Sequence, residues 1–458
     1  MNKHITQQTV LFRGLSKKAV VARFDQEQAS SDGGAVLLKA CDERLGLSAA
    51  LASCLHDDRQ QAKVEHSYQE IFQQRMFGIA CGYADGNDAA RIADDPVFKL
   101  LAGRDPVTGS ALASQPTLSR FENAVSSGEL LRMSEVLADA VIQRQRRRKR
   151  KVRRITIDLD PTEDATHGAQ QLSFFNRLYE HWCYLPVAGF LSFDNEPDQY
   201  LFCCLLRSGS AVAKVGCLSL LKRLLPRLRK AFPKAKIRIR LDAGFTGPEL
   251  YEFFEAERME YVVCMGKNAV LLRFAESLMA PLRDALEAGE VIVPRFGECR
   301  YAARSWNKHK RRVIIKADIA LHPGRKPKDN PRFIVTNLKT TPKFIYKKVY
   351  CARGDIENRI KELKLGLEID RTSCTSFKAN QLRVLMTAAA YVLMQELRLH
   401  ARRTGCARAQ VNTLRLRLLK LGVWIEESVR RIVLHLPVST PYADDWRRIA
   451  RSVGAVPT

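Results

Sequence analysis

The spacing of apolar positions changes character along the chain. Residues 1–28 read as extended and mixed. From Ala35 to about Gln143, segments such as AVLLKACDERLG and SYQEIFQQRMFGIACGYA repeat apolar residues three and four apart, which predicts amphipathic helices. GRDPVTGS is a turn-rich separator between them. Ser114, ahead of Pro116 and Thr117, marks a helix start. A short helix-turn-helix unit fits there, and so does a plain helical bundle.

From Ile155 the period shortens to two. ITIDLD (155–160) alternates Ile155, Ile157 and Leu159 with Thr156, Asp158 and Asp160. CYLPVAGFLSF (183–193) and QYLFCCLLRSG (199–209) read as two more strands, and a helix follows from about Val215 to Ala231. KIRIRLD (236–242) is a strand, PELYEFFEAE a helix and YVVCM (261–265) a strand. Three strands, a helix, then strand, helix, strand is the order of a ribonuclease-H-like sheet. Residues 269–345 read as a β-rich insertion, with strands around the basic turn of RSWNKHKRR. Helices return at about 354–366 and 377–402. The predicted organisation is therefore an α/β protein. A helical N-terminal region (1–143), DNA-binding on the helix-turn-helix reading, and a basic linker (144–154) precede a core in two parts (155–268 and 346–403). The insertion divides that core, and a basic C-terminal region (404–458) follows it.

Composition narrows the partner. The chain has 458 residues, 46% of them hydrophobic, enough for two or more packed domains. Its 75 Lys and Arg against 49 Asp and Glu give +26, which suits a polyanion. RQRRRKRKVRR (144–154) is either a solvated linker or a phosphate contact. Twelve cysteines without a C-x-x-C spacing read as reduced thiols rather than zinc ligands or disulfides. MNKHITQQTVLF lacks a signal-peptide pattern, and Leu382–Leu397 reads as a buried helix rather than a membrane span. The expected setting is the cytoplasm, with no membrane partner. Neither G-x-G-x-x-G nor a P-loop occurs, which disfavours nucleotide-cofactor enzymes.

Asp160 and Asp242 each end an alternating strand, where ligands of open α/β sheets gather. Two such carboxylates side by side need a cation, although either alone is an ordinary turn starter. Asp158 lies on the same strand face as Asp160 and competes for its role. In YCARGDIENRIKELKLGLE, Ile356, Ile360, Leu363 and Leu367 form an apolar stripe. Arg353, Glu357, Lys361 and Lys364 share a neighbouring face. That face is either a metal and phosphate site or a surface salt-bridge ladder. Three carboxylates without a His or Cys cluster favour Mg2+ or Mn2+. Two such ions about 4 Å apart would clamp a phosphodiester displacement.

Tyr350, Arg353, Glu357 and Lys364 fit Y-x2-R-x3-E-x6-K at every position. On this signature the chain resembles a large group of bacterial insertion-sequence DDE transposases. Asp160 in DPT and Asp242 in DAGF resemble that group's first two carboxylate motifs. ENRIKELK, TNL (336–338) and TLRLRLLKLG (413–422) look like one branch of it. The resemblance runs from about residue 30 to 437. It implies a ribonuclease-H-like core with a β-strand insertion, and Asp160, Asp242 and Glu357 holding two Mg2+ or Mn2+ ions. It also implies cut-and-paste transposition of double-stranded DNA: hydrolysis at terminal inverted repeats, then joining to target DNA, by a synaptic homodimer in the bacterial nucleoid. Tyr350, Arg353 and Lys364 would contact phosphate, with Lys361 on the same face. Trp306 would either stack on an extruded base or pack in the core. Arg415, Arg417, Lys420, Arg430 and Arg431 would face DNA or a partner subunit. Two rivals remain: a non-catalytic DNA-binding or architectural protein, and a domesticated DDE nuclease.

Overall fold

The structure is a computed structural model describing residues 10–306 and 308–456. Its centre is one mixed eight-stranded sheet. The strands are β1 (Arg154–Pro161), β2 (Val187–Phe193), β3 (Tyr200–Leu205), β4 (Lys236–Leu241), β5 (Glu260–Met265), β6 (Arg295–Tyr301), β7 (Arg311–Ala317) and β8 (Arg332–Thr336). They lie in the order β6-β7-β8-β5-β4-β1-β2-β3. Only β1, β4 and β5 run parallel; the other neighbours are antiparallel. The predicted alternation of strands and helices is present from β1 to β5.

β1 alternates in sequence yet is buried on both sides from Ile155 to Asp160. Helices explain this, because a central strand covered on both faces is screened from water throughout. Ile155, Ile157 and Leu159 pack with α1 (Cys217–Ala231), α2 (Pro248–Ala256) and α3 (Ala269–Glu287). The opposite face, through Ala188, Phe190, Leu201 and Cys204, packs with α4 (Phe377–His400). From Ala379 to Leu399 every residue of α4 except Arg383 is buried. A helix apolar nearly all round belongs inside a protein.

Three boundaries differ from the sequence expectation. The N-terminal helices, Tyr68–Cys81 and Ser127–Arg147 among them, share one apolar core with α4 rather than forming a body of their own. The basic run is helical only at its start: Ser127–Arg147 supplies its first four residues, and a turn and an irregular stretch then lead into β1. Arg144 Nε donates to Glu396 at 2.5 Å and Arg148 Nη1 to Glu196 at 2.6 Å, so the run is anchored. The region expected to be an insertion begins with the 19-residue helix α3, and its three longer strands extend the central sheet.

Trp306 settles between its two readings. It is 2% exposed, with Tyr251 and Tyr301 meeting it edge-on at 5.3 and 5.5 Å. The Arg311 guanidinium lies 5.3 Å from its ring centre. No ring face is open to a base, so the stacking role expected for Trp306 is withdrawn. Arg415 is likewise turned inward, donating to the carbonyls of Ala80 and Gly366 at 2.8 and 2.5 Å.

Candidate active site

The parallel pairing of β1 with β4 sets Asp158 opposite Arg240. Two residues further along each strand stand Asp160 and Asp242, so register alone brings the two carboxylates together. Asp242 also caps the turn after β4, its Oδ1 accepting the Gly244 N–H at 2.9 Å. Asp158 is spent elsewhere. It is fully buried and accepts both Arg240 Nε and Nη2, at 2.7 and 2.6 Å. The third Arg240 nitrogen donates to the Val349 carbonyl at 3.0 Å, pinning the incoming helical segment to the sheet.

That segment runs from Pro342 to Gly366 as one rod of changing pitch. It is wide over Ile345–Tyr350, tight over Cys351–Gly354, α-helical over Asp355–Lys361 and wide again to Gly366. The tight turn rotates Arg353 off the outer face and into the sheet. Its Nη2 donates to Asp160 Oδ1 at 2.5 Å and lies 3.9 Å from Asp242 Oδ2. Glu357, for which a salt-bridge ladder with Arg353 and Lys361 was the alternative to a metal-ligand role, is exposed and makes no ion pair among the described residues. Burial pushes the Asp160 carboxyl up to about 6; Arg353 opposes the shift, while Asp242 and Glu357 reinforce it. Two carboxylates, Asp160 and Asp242, thus share one guanidinium.

The donor chemistry suits a hard divalent cation: carboxylate oxygens only, two of them at adjacent strand ends. Among the described residues, no group of three or more potential ligands is gathered closely enough to hold a metal ion. Arg353 is the positive charge between Asp160 and Asp242.

The other expected contacts divide. Tyr350 stands beside Tyr346, ring centres 5.9 Å apart, and burial raises its hydroxyl well above the ordinary value. Lys361 is exposed. Lys364 is held inward, donating to Glu163 Oε1 at 2.6 Å and to the Glu163 carbonyl at 2.9 Å. A different face of the same rod, with Asp355, Asn358 and Arg359, borders a cleft of about 1350 Å³. Arg148, Arg150, Lys151 and Arg153 of the basic run line its other wall.

Asp164 was not foreseen. It is buried and accepts the Thr372 hydroxyl at 2.9 and 3.0 Å, tying the loop after Asp160 to the chain beyond the Glu357 rod. Burial pushes its carboxyl up to about 8 from an ordinary 3.8. With the folded value raised, its contribution to stability is full below pH 3.8 and is lost as pH climbs through about 8. Asp164→Asn, which mimics the neutral acid, is expected to be more stable than wild type at pH 8.5 by a few kcal/mol and nearly equal at pH 4. Urea unfolding at the two pH values checks this; an Asn variant weaker at pH 8.5 contradicts it.

No helix among the described residues is long and apolar enough to cross a membrane. No curated protein sequence matches the chain. Among solved structures it is similar to a piggyBac transposase synaptic complex with hairpin DNA, solved by cryo-electron microscopy. Identity there is 11% and the TM-score 0.38, over 84% of this chain and 76% of that one. The model of the transposase DDE domain group 1 family matches residues 12–457, and the chain belongs to that family.

Proposed function

We propose that this protein is a cut-and-paste DNA transposase of a bacterial insertion sequence, with Asp160, Asp242 and Glu357 as its catalytic carboxylates. The observation that carries this is the meeting of Asp160 and Asp242 at adjacent parallel strand ends, with Glu357 exposed on the rod whose Arg353 reaches both carboxylates. The order β3-β2-β1-β4-β5 supports a ribonuclease-H-like core. The Y-x2-R-x3-E-x6-K spacing supports the insertion-sequence branch.

The three carboxylates would hold two Mg2+ or Mn2+ ions. Bound there, the ions would activate the attacking water or 3′-hydroxyl and neutralise charge on the leaving oxygen. Arg353 keeps Asp160 and Asp242 from repelling one another until DNA arrives, then transfers its guanidinium to a phosphate oxygen. Tyr350 flanks that phosphate. Lys361 reaches the backbone from the exposed face, and Lys364 fixes the rod against Glu163. The substrates are terminal inverted repeats and target duplex, brought together by a homodimer in the nucleoid.

One observation favours a second reading, a non-catalytic DNA-binding protein: Arg353 closes the carboxylate pair with an ion pair of its own. Cleavage of DNA carrying the element ends, with Mg2+, separates the two. Wild type is expected to cut and Asp242→Asn to fail. Equal cutting by both, or none by either, overturns the catalytic assignment.

A further inference from the structure

Between Asp160 and β2 the chain builds a small sheet of its own, made of Asp164–Ala165, Phe174–Asn176 and His181–Tyr184, with the last strand in the middle. Its root is fixed to the active-site loop. Asp164 pairs with Tyr184, the Thr162 N–H donates to the Pro186 carbonyl at 2.9 Å, and the Thr166 N–H donates to the Trp182 carbonyl at 2.9 Å. The sheet therefore begins four residues after Asp160, against the Glu163 that Lys364 grips.

Its outer half is aromatic and uncovered. Phe174, Phe175 and Trp182 are 43%, 53% and 56% exposed, and Leu178 at the tip is 81% exposed. Large rings clustered in water mark a binding surface. Phe175 and Trp182 are cross-strand partners, so their rings stand together on one face. Tyr179 and His181 are stacked, 6.1 Å apart and 14° from parallel. Arg177, between the strands, is exposed and makes no ion pair among the described residues.

We infer that this hairpin is a stacking platform for unpaired bases of the DNA strand whose phosphate is processed at the carboxylates. The inference rests on the phosphodiester chemistry proposed above. Flat rings beside a free guanidinium suit nucleobases, because every base offers a π face whatever the sequence. A second protein chain is a poorer match. A stable interface buries about 800 Å² per partner, more than the side chains of Phe174, Phe175, Leu178 and Trp182 supply. The role first assigned to Trp306 thus passes to rings that are open to solvent.

The test is fluorescence anisotropy in EDTA with a single-stranded oligothymidine, an abasic strand of equal length and a duplex. Trp182→Ala and Phe175→Ala are each expected to weaken oligothymidine binding about tenfold, and Trp182→Phe to restore most of it. Abasic and duplex affinities should stay within about twofold, since their contacts are to phosphate. Loss of abasic and oligothymidine binding in parallel overturns the proposal, as does unchanged binding of both. A dimer that Trp182→Ala splits while oligothymidine affinity holds also overturns it, in favour of a protein interface. No cleavage is required, and Asp242→Asn protein serves equally. The platform can therefore fail with the catalytic assignment standing, and a failed cleavage assay leaves the base-stacking result separately readable.

Discussion

Glu357→Gln is expected to slow strand cleavage about a thousandfold, the equivalent of roughly 4 kcal/mol in the barrier, while leaving folding and DNA affinity intact. The effect is large because the substitution removes a negative charge without changing shape. Glutamine keeps the side chain's length but is a far weaker donor to a hard cation. It is clean because Glu357 is exposed and unpaired among the described residues, so its loss strands no buried partner. Asp160→Asn should behave alike in cleavage but not in stability. Its carboxyl is raised to about 6 chiefly by burial, so at neutral pH the amide relieves the cost of a buried charge, and then the repulsion from Asp242 and Glu357, while giving up the Arg353 ion pair. Measuring cleavage with Mg2+ beside thermal unfolding separates the two positions. Wild-type cleavage by Glu357→Gln would remove it from the catalytic set.

Sequence periodicity carried far in the strands and less far at the side chains that turn inward. ITIDLD and KIRIRLD are legible because branched apolar residues at period two have few other uses. Their relation was legible too. Asp158 precedes Asp160 by two, Arg240 precedes Asp242 by two, and parallel pairing in register makes Asp158 and Arg240 neighbours. That signal could have removed Asp158 from the competition. Arg353 was misplaced because a uniform helix puts it one turn below Glu357. The tight stretch Cys351–Gly354 has about three residues per turn rather than 3.6, which swings Arg353 towards Asp160. Trp306 misled through its neighbours: RSWNKHKRR looks solvent-facing, yet Arg311 folds over the ring to pair with Glu255 at 2.8 Å. The helix Ala269–Glu287 was overlooked although Leu271, Ala275, Met279 and Leu282 mark a buried face; Pro281 sits within that pattern.

Asp158→Ala should cost about 3–5 kcal/mol of folding stability, because it leaves the Arg240 guanidinium buried without its counter-charge. The pair is bidentate, and water cannot easily replace the lost oxygens around an Arg240 side chain that is 8% exposed. Removing both members, as Asp158→Leu with Arg240→Met, should recover much of the loss, since two apolar side chains need no counter-charge. The recovery should not extend to cleavage. Arg240 also donates to the Val349 carbonyl, four residues before Arg353, and without that bond the rod loses its anchor on the sheet. The double variant is therefore expected to unfold near the wild-type midpoint yet cut poorly. Urea unfolding together with single-turnover cleavage reads both quantities. If Asp158→Ala instead kept full stability and lost all cleavage, the roles would be exchanged: Asp158 would be the catalytic carboxylate, and the Asp160–Arg353 ion pair would be the structural one.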